Sequence, residues 1–480
     1  MRTIDNIIGS VPGVGGKEHV SLYHSYTGKQ TAQVALATTE NVTSALVAAD
    51  GARAELANYP AHKRATLLRQ FSERIEGQFQ VLVDGIVADV GKPRSEAQLE
   101  VHRSIEVARL TADALLGLSG EVVAMGASAS AAGKAGFEYR VPAGVVVAIT
   151  PFNAPLNLSV SKVVAALGAG CPVILKPPLN AAQAPTTAMR ELIQLDWPTG
   201  AISVVQGGSD AGEQLVSSDI PRVVTFTGSL AAAQAITKVS GVKKLVLELG
   251  SMAPTIVCDD ADLDDAANRL LRGGFGTAGQ ACIATQRVLV QEQVWDDFVA
   301  SYVPRVKDLC VGDPDNLNTV VGPMIDEDAA QRVHDWIQEA QASGASILCG
   351  GDRLAPRIVE PTVLANVPQN VKLATREVFG PVVELIPFRT DQEAVDISNS
   401  TPYGLQAGVF TSTIDRAFSF FTALEFGGVQ INESSRVRHD LHAFGGRKGS
   451  GLGSEGVKHA LEEMTEIKFM GVRLKADYPY

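Results

Sequence analysis

The chain reads as an α/β fold of two domains, and three features predict it. Its 480 residues exceed what one ordinary hydrophobic core serves. From Ala143 onward, short runs rich in β-branched side chains at residues 144–149, 171–175, 201–205 and 222–226 alternate with helical stretches, the pattern of parallel strands joined by crossover helices. A second alternation runs from Pro254 to about Thr411, with strands expected at 255–257 and 287–291. The two units are expected to meet near Gly250, since each sheet needs its own covering layers.

Ahead of these units the first quarter reads as helical, because residues 41–57 and 62–90 carry apolar side chains three and four apart. Residues 1–16 hold no apolar stretch of signal-peptide length. The longest stretch free of strongly polar side chains, 163–175, is broken by Gly and Pro and falls short of the ~20 residues needed to span a bilayer. A soluble protein without a membrane partner is expected. A net charge of −12 without a basic stripe excludes nucleic acid, whose phosphates need clustered Lys and Arg. The five cysteines are odd in number and far apart, which fits reduced thiols in a cytoplasm. The eight histidines are scattered, with no ligand spacing to Cys or carboxylate, so no metal is expected.

Two G-x-G-x-x-G matches occur, Gly274, Gly276, Gly279 and Gly451, Gly453, Gly456. Neither follows a buried strand, so neither reads as a phosphate fingerprint. No Gly-Lys pair precedes Ser or Thr, so a Walker A loop is absent. Another candidate is Phe226-Thr227-Gly228-Ser229, which closes an apolar strand and opens an Ala-rich helix; it reads either as a pyrophosphate cradle or as a plain Ser N-cap. Gly279-Gln280-Ala281-Cys282 places a thiol in a loop of small residues, where a nearby helix start would expose it and lower its pKa; the alternative is an inert core cysteine. Glu248 stands at the end of an apolar strand, where desolvation would raise a carboxyl toward general-base range, or it is an ordinary strand-end residue. Asn153, within Pro151-Phe152-Asn153-Ala154-Pro155, is either a turn former or an amide able to stabilise an oxyanion.

Taken in order, these segments resemble the aldehyde dehydrogenase superfamily from about Tyr26 to about Arg473. Lys176-Pro177-Pro178, Glu377-Val378-Phe379-Gly380-Pro381, and Phe444-Gly445-Gly446 with Ser450-Gly451 complete the set, and the interval from Glu248 to Cys282 is similar to the family's base-to-nucleophile spacing. The resemblance implies a Rossmann-like cofactor domain of residues 1–119 and 143–250, a catalytic domain of 251–456, and a small β oligomerisation hairpin from 120–142 and 457–480. It implies that Cys282 attacks an aldehyde, Asn153 stabilises the alkoxide, and Glu248 activates the water that hydrolyses the thioester. For an NAD or NADP cofactor it implies Lys176 on the adenosine ribose, Ser229 on pyrophosphate, and Glu377 with Phe379 at the nicotinamide end. Thr150, Phe152, Pro178, Leu179, Gly208, Gly228 and Leu249 complete that site.

The chain departs from the common pattern in three places. Leu179 stands where NAD-preferring members often carry an acid, so nothing there repels a 2′-phosphate and NADP is expected to be accepted. Ser251-Met252 follow Gly250 where Gly-Lys is common, which is similar to the lactaldehyde and non-phosphorylating glyceraldehyde-phosphate branch. Ala233 replaces a frequent glycine. The segment that lines the substrate mouth in relatives, residues 432–444, offers Arg436, Arg438 and His439, with Arg103 as a possible partner from the first domain. These suit a small polar or anionic aldehyde, a semialdehyde or hydroxyaldehyde; the alternative is that the arginines form ion pairs between domains or subunits. Ala281 withholds the positive charge found beside the nucleophile of phosphate-using relatives. A CoA-acylating enzyme and a non-catalytic structural protein are the rival readings; the first usually lacks the carboxylate base, and the second would permit loss of the catalytic set. The stretch 465–474 reads as a strand and, with 120–140, resembles the family's oligomerisation hairpin, implying a homodimer or homotetramer.

Overall fold

Val145–Ile149, buried along its whole length, is the pivot of an eight-stranded sheet. A run of Val, Ala and Ile suits a parallel strand covered on both faces. The computed structural model describes residues 2–474. In it the sheet runs Gly451–Leu452, Lys244–Glu248, Pro221–Thr227, Val145–Ile149, Val173–Lys176, Ile202–Val204, Asn6–Ile8 and Val11–Val14. The five central strands are parallel. From Val145–Ile149 the chain moves outward through Val173–Lys176 and Ile202–Val204, then returns to place Pro221–Thr227 on the other side. That reversal creates a crevice at the carboxyl ends of two neighbouring strands.

A seven-stranded sheet follows, ordered Ser346–Cys349, Thr362–Ala365, Val382–Phe388, Arg287–Gln291, Pro254–Val257, Gln406–Phe410 and Gly428–Ile431. All of its pairings are parallel except the first. Separate apolar clusters fill the two units. One gathers Phe71, Val146, Val163 and Leu175; the other gathers Leu270, Phe275, Val288 and Phe298. A third sheet, antiparallel, joins Lys134–Pro142 to Thr465–Arg473 and Glu121–Val123. Thr465–Arg473 is its edge, with Ile467, Phe469 and Met470 exposed. Residues 475–480 of the expected 457–480 region lie outside the described residues.

The first quarter departs from expectation. Five short strands occupy residues 2–35 before the helix Thr39–Ala57 begins. Each has three to six residues, too few for periodicity to register; they pair mostly with one another, while Asn6–Ile8 also pairs with the distant Ile202–Val204. The periodic stretch 62–90 is two helices, Ala61–Gly77 and Phe79–Val90. Gln78 separates them, its N–H closing the first helix onto the Arg74 and Ile75 carbonyls. No helix among the described residues is long and apolar enough to cross a membrane.

Candidate active site

Three strand ends open onto one cleft of about 1220 Å³. Val145–Ile149 leads to Pro151, Phe152 and Asn153, Pro221–Thr227 to Gly228 and Ser229, and Lys244–Glu248 to Leu249 and Gly250, all of which line it. The facing wall comes from the seven-stranded unit, with Thr277, Gln280, Cys282, Glu377, Phe379 and the segment holding Arg436, Arg438 and His439.

Cys282 reaches the cleft on a strained turn. The helix Leu263–Phe275 ends at buried Phe275, and Thr277 and Ala278 then adopt φ of 54° and 53°, a left-handed backbone costing roughly 1–2 kcal/mol per non-glycine residue. The turn is pinned. Arg436 Nη2 donates to Thr277 Oγ1 at 3.1 Å, and Gln280 Nε2 donates to the Thr277 carbonyl at 3.3 Å. Gln280 Oε1 accepts the Ile325 N–H at 2.9 Å. Gly279, at φ 66°, admits no side chain, because a Cβ would overlap the Gly380 carbonyl. Cys282 is partly exposed, whereas Cys171, Cys258 and Cys349 are buried. The lowered pKa expected of this thiol is not found. Burial and then the neighbouring Glu248 carboxylate push it well above the ordinary range, and a turn rather than a helix follows it, so no helix dipole offsets them.

Glu248 is 2% exposed, and its Oε1 has no hydrogen-bond partner among the described residues. Burial, reinforced by Glu455, raises its carboxyl above the usual range. Glu455 goes the other way. Burial alone would raise it, but Lys162 and Arg438 outweigh that and hold it ionised. Lys162 Nζ donates to Glu455 and, at 3.0 Å, to Thr225. Thr227 Oγ1 and Arg438 Nη2 donate to the two Glu455 oxygens at 3.1 and 3.0 Å.

Asn153 lines the cleft with its Oδ1 buried and without a hydrogen-bond partner among the described residues. Phe152 and Phe379 meet edge to face, centroids 5.9 Å apart. Burial pushes Glu377 up to about 7, and it accepts the Ser251 N–H at 3.1 Å. A Cβ at Gly250 would overlap the Glu377 carboxylate, so glycine there admits the acid. Gly228 N–H donates to the Glu248 carbonyl at 3.1 Å and Leu249 N–H to the Ser450 carbonyl at 2.9 Å. Ser229 Oγ accepts the Ala232 N–H at 3.3 Å, capping the helix Leu230–Val239.

Five residues read from sequence as cofactor contacts are not in the cleft lining. Thr150 is buried, its hydroxyl 3.1 Å from that of Ser159. Lys176, brought down to about 8 by burial, lies with its stem against Gly212 of the helix Ser209–Ser217. Gly208 caps that helix. Pro178 precedes Leu179, and Leu179 packs on Ile4, Leu22 and Val34.

The four substrate-mouth residues all line the cleft, and each arginine is ion-paired. Arg103 Nη2 and Nε donate to Asp440 at 3.0 and 3.2 Å. Arg436 bridges Glu96 at 3.4 Å and the Arg272 carbonyl at 2.8 Å. Arg438 holds Glu455 and lies 3.9 Å over the Phe444 ring. Sequence reasoning missed Lys162, Glu455, Glu96 and Glu100. Several of their contacts join segments far apart in the chain, as Lys162 with Glu455 and Glu96 with Arg436, so no local pattern marks them. Among the described residues, no group of three or more His, Cys, Asp or Glu side chains could hold a metal ion.

Comparison with known proteins matches residues 13–470 to the aldehyde dehydrogenase family. The chain is 37% identical to aspartate-semialdehyde dehydrogenase 1 of Pseudomonas canavaninivorans, over 94% of this chain and 96% of that one. It is 35% identical to a lactaldehyde dehydrogenase of Methanococcus maripaludis, over 94% and 97%. Its fold is similar to the crystal structure of aldehyde dehydrogenase 21 from Physcomitrella patens in complex with the reaction product succinate, with a TM-score of 0.97, 34% identity and 99% of each chain covered. Similar solved structures include enzymes named NADP-dependent and NAD-dependent.

The electrostatics of the thiol can be tested directly. Replacing Glu248 by Gln removes the negative charge beside Cys282, so iodoacetamide should label Cys282 faster at pH 8 in Glu248→Gln than in the unaltered protein, as read by peptide mass spectrometry. Slower or equal labelling would contradict the coupling.

Proposed function

This chain belongs to the aldehyde dehydrogenase family, and from that membership we propose that it oxidises a small polar or anionic aldehyde to the carboxylic acid through a thioester on Cys282. The observation that carries this reading is the meeting, in one cleft, of a thiol, a buried carboxyl and a side-chain amide: Cys282, Glu248 and Asn153.

The cleft suits a dinucleotide. Its volume exceeds the roughly 300–1,000 Å³ of ordinary small-molecule pockets. The N-terminus of the helix Leu230–Val239 opens into it at Ser229, a setting that favours pyrophosphate. Phe152 and Phe379 form an aromatic corner, and Glu377, which lines the same cleft, would accept from a ribose hydroxyl. Lys176 and Gly208 would hold the adenosine end, and Leu179 leaves a 2′-phosphate unopposed. When bound, NAD or NADP supplies the acceptor for the hydride leaving the substrate carbon.

Every other step belongs to the chain. Burial keeps the thiol protonated, so attack on the aldehyde carbon requires that its proton first be released to bulk water through the open cleft. As the C–S bond forms, the carbonyl electron pair moves onto oxygen, where the Asn153 amide donates. Once the thioester stands, Glu248 takes a proton from water, the water oxygen adds to the carbonyl, the C–S bond breaks, and acid leaves as the thiol is restored. The presence of this base favours water over CoA as acyl acceptor. Arg103, Arg436, Arg438 and His439 give the mouth its polarity; each guanidinium has five N–H donors, more than its ion pair uses. Residues 1–119 with 143–250 act as the cofactor domain and 251–456 as the catalytic domain. The exposed edge Thr465–Arg473 serves a homodimer or homotetramer.

Asn153→Ala should fold and lose about 10²- to 10³-fold in kcat; near-normal turnover removes Asn153 from the mechanism. Glu248 must be ionised to act and its pKa is raised, so deacylation-limited turnover should climb with pH through that raised value and fall below it. A pH–rate profile flat down to pH 5 would contradict the role. In a panel run with both cofactors, short polar or anionic aldehydes should exceed long alkyl and aryl ones in kcat/KM and NADP should be used. The reverse preference, or strict NAD use, overturns the corresponding part.

A further inference from the structure

One polar group in the cleft wall is left over by this chemistry. Asn157 belongs to the first turn of the helix Pro155–Ala169 and is 2% exposed. It lines the cleft together with Asn153. Its Nδ2 is buried and has no hydrogen-bond partner among the described residues. Burying an amide without a partner destabilises a fold, and replacing it by an apolar group of like shape is often neutral or stabilising. The rest of the turn is firmly held. Glu100, itself 5% exposed, accepts the backbone N–H groups of Leu156 and Asn157 at 2.9 and 3.2 Å and is fixed by Lys92. The Asn157 backbone is therefore anchored while its side-chain amide is not engaged.

We infer that the Asn157 carboxamide binds a hydroxyl carried one or two carbons from the substrate's aldehyde, making the enzyme selective for hydroxyaldehydes over their deoxy analogues. The inference rests on the dehydrogenase reading above. Two observations favour a hydroxyl. The unpartnered Asn157 Nδ2 donates and its Oδ1 accepts, so a hydroxyl can satisfy both ends of the amide, whereas a carboxylate could use only the donor. The charges of Arg103, Arg436 and Arg438 are already offset by Asp440, Glu96 and Glu455, so their spare N–H groups meet a neutral polar group as well as an anion. The position fits as well, since Asn157 follows shortly after Asn153, the donor assigned to the aldehyde oxygen, on the same wall. A site that hydrogen-bonds a substrate hydroxyl discriminates strongly against the analogue lacking it, because its own polar group is then left unpaired.

The test compares 2-hydroxypropanal, 3-hydroxypropanal and propanal as substrates of the full-length wild-type enzyme and of Asn157→Leu, with thermal unfolding measured on both. The wild type should favour at least one hydroxyaldehyde over propanal. In Asn157→Leu the kcat/KM ratio of that hydroxyaldehyde to propanal should fall about tenfold or more, while the unfolding temperature stays equal or rises. A merely structural role would lower the unfolding temperature and depress all three substrates alike, overturning the inference. An unchanged ratio overturns it too. If Asn157→Leu does not fold, Asn157→Ser is read by the same ratio. Failure of the wild type to oxidise any aldehyde refutes the dehydrogenase reading and this inference with it, whereas turnover without hydroxyl preference refutes the inference alone.

Discussion

Keeping the Glu248 carboxyl out of water is the constraint on which the rest of the cleft depends. A carboxylate moved from water into a protein interior tends to take up a proton, and here a second acid, Glu455, lies close enough to add to that tendency. Two buried carboxylates side by side would be untenable without compensation. Lys162, Arg438 and the Thr227 hydroxyl hydrogen-bond Glu455 and not Glu248, so one acid is ionised and structural while its neighbour, which the two cations reach only through space, is left to change protonation state. The same desolvation acts on the Cys282 thiol, and nucleophile and base stand in one electrostatic unit.

Placing these groups requires both sheets. The eight-stranded sheet delivers Asn153, Ser229 and Glu248 from the ends of three adjacent parallel strands, at the point where strand order reverses. The seven-stranded unit supplies Cys282 and Glu377 from turns. Left-handed residues at Thr277, Ala278 and Phe379 mark where the backbone is bent to bring those groups inward. Packing holds that strain: Arg436 ties the nucleophile turn to Glu96 of the helix Arg94–Ala114. The arginines at the mouth thus brace the two walls against each other as well as colouring the cleft with charge.

Much of this was legible in the sequence. The long, buried parallel strands appear as runs of β-branched residues, since both of their faces are covered and no polar alternation interrupts them. The helix cap at Ser229, the apolar setting of Glu248 and the small-residue turn before Cys282 are likewise local properties, and the ordered motifs identified the family. The short strands of residues 2–35 left no such trace. Strands of three to six residues are too short for periodicity to register, and what defines them is pairing, among themselves and, for Asn6–Ile8, with the remote Ile202–Val204.

Sequence by itself therefore determined the fold class, the family and the chemical types assembled for the reaction, because each is written in contiguous residues whose propensity and order survive without coordinates. Tertiary structure alone decided the protonation tendencies and the use of each charge. The expected low-pKa thiol became a high-pKa one, and of the two readings the sequence left open for the mouth arginines, the fold takes ion pairing with carboxylates. Burial and the distance to a remote partner set both outcomes, and those quantities do not exist until the chain has folded.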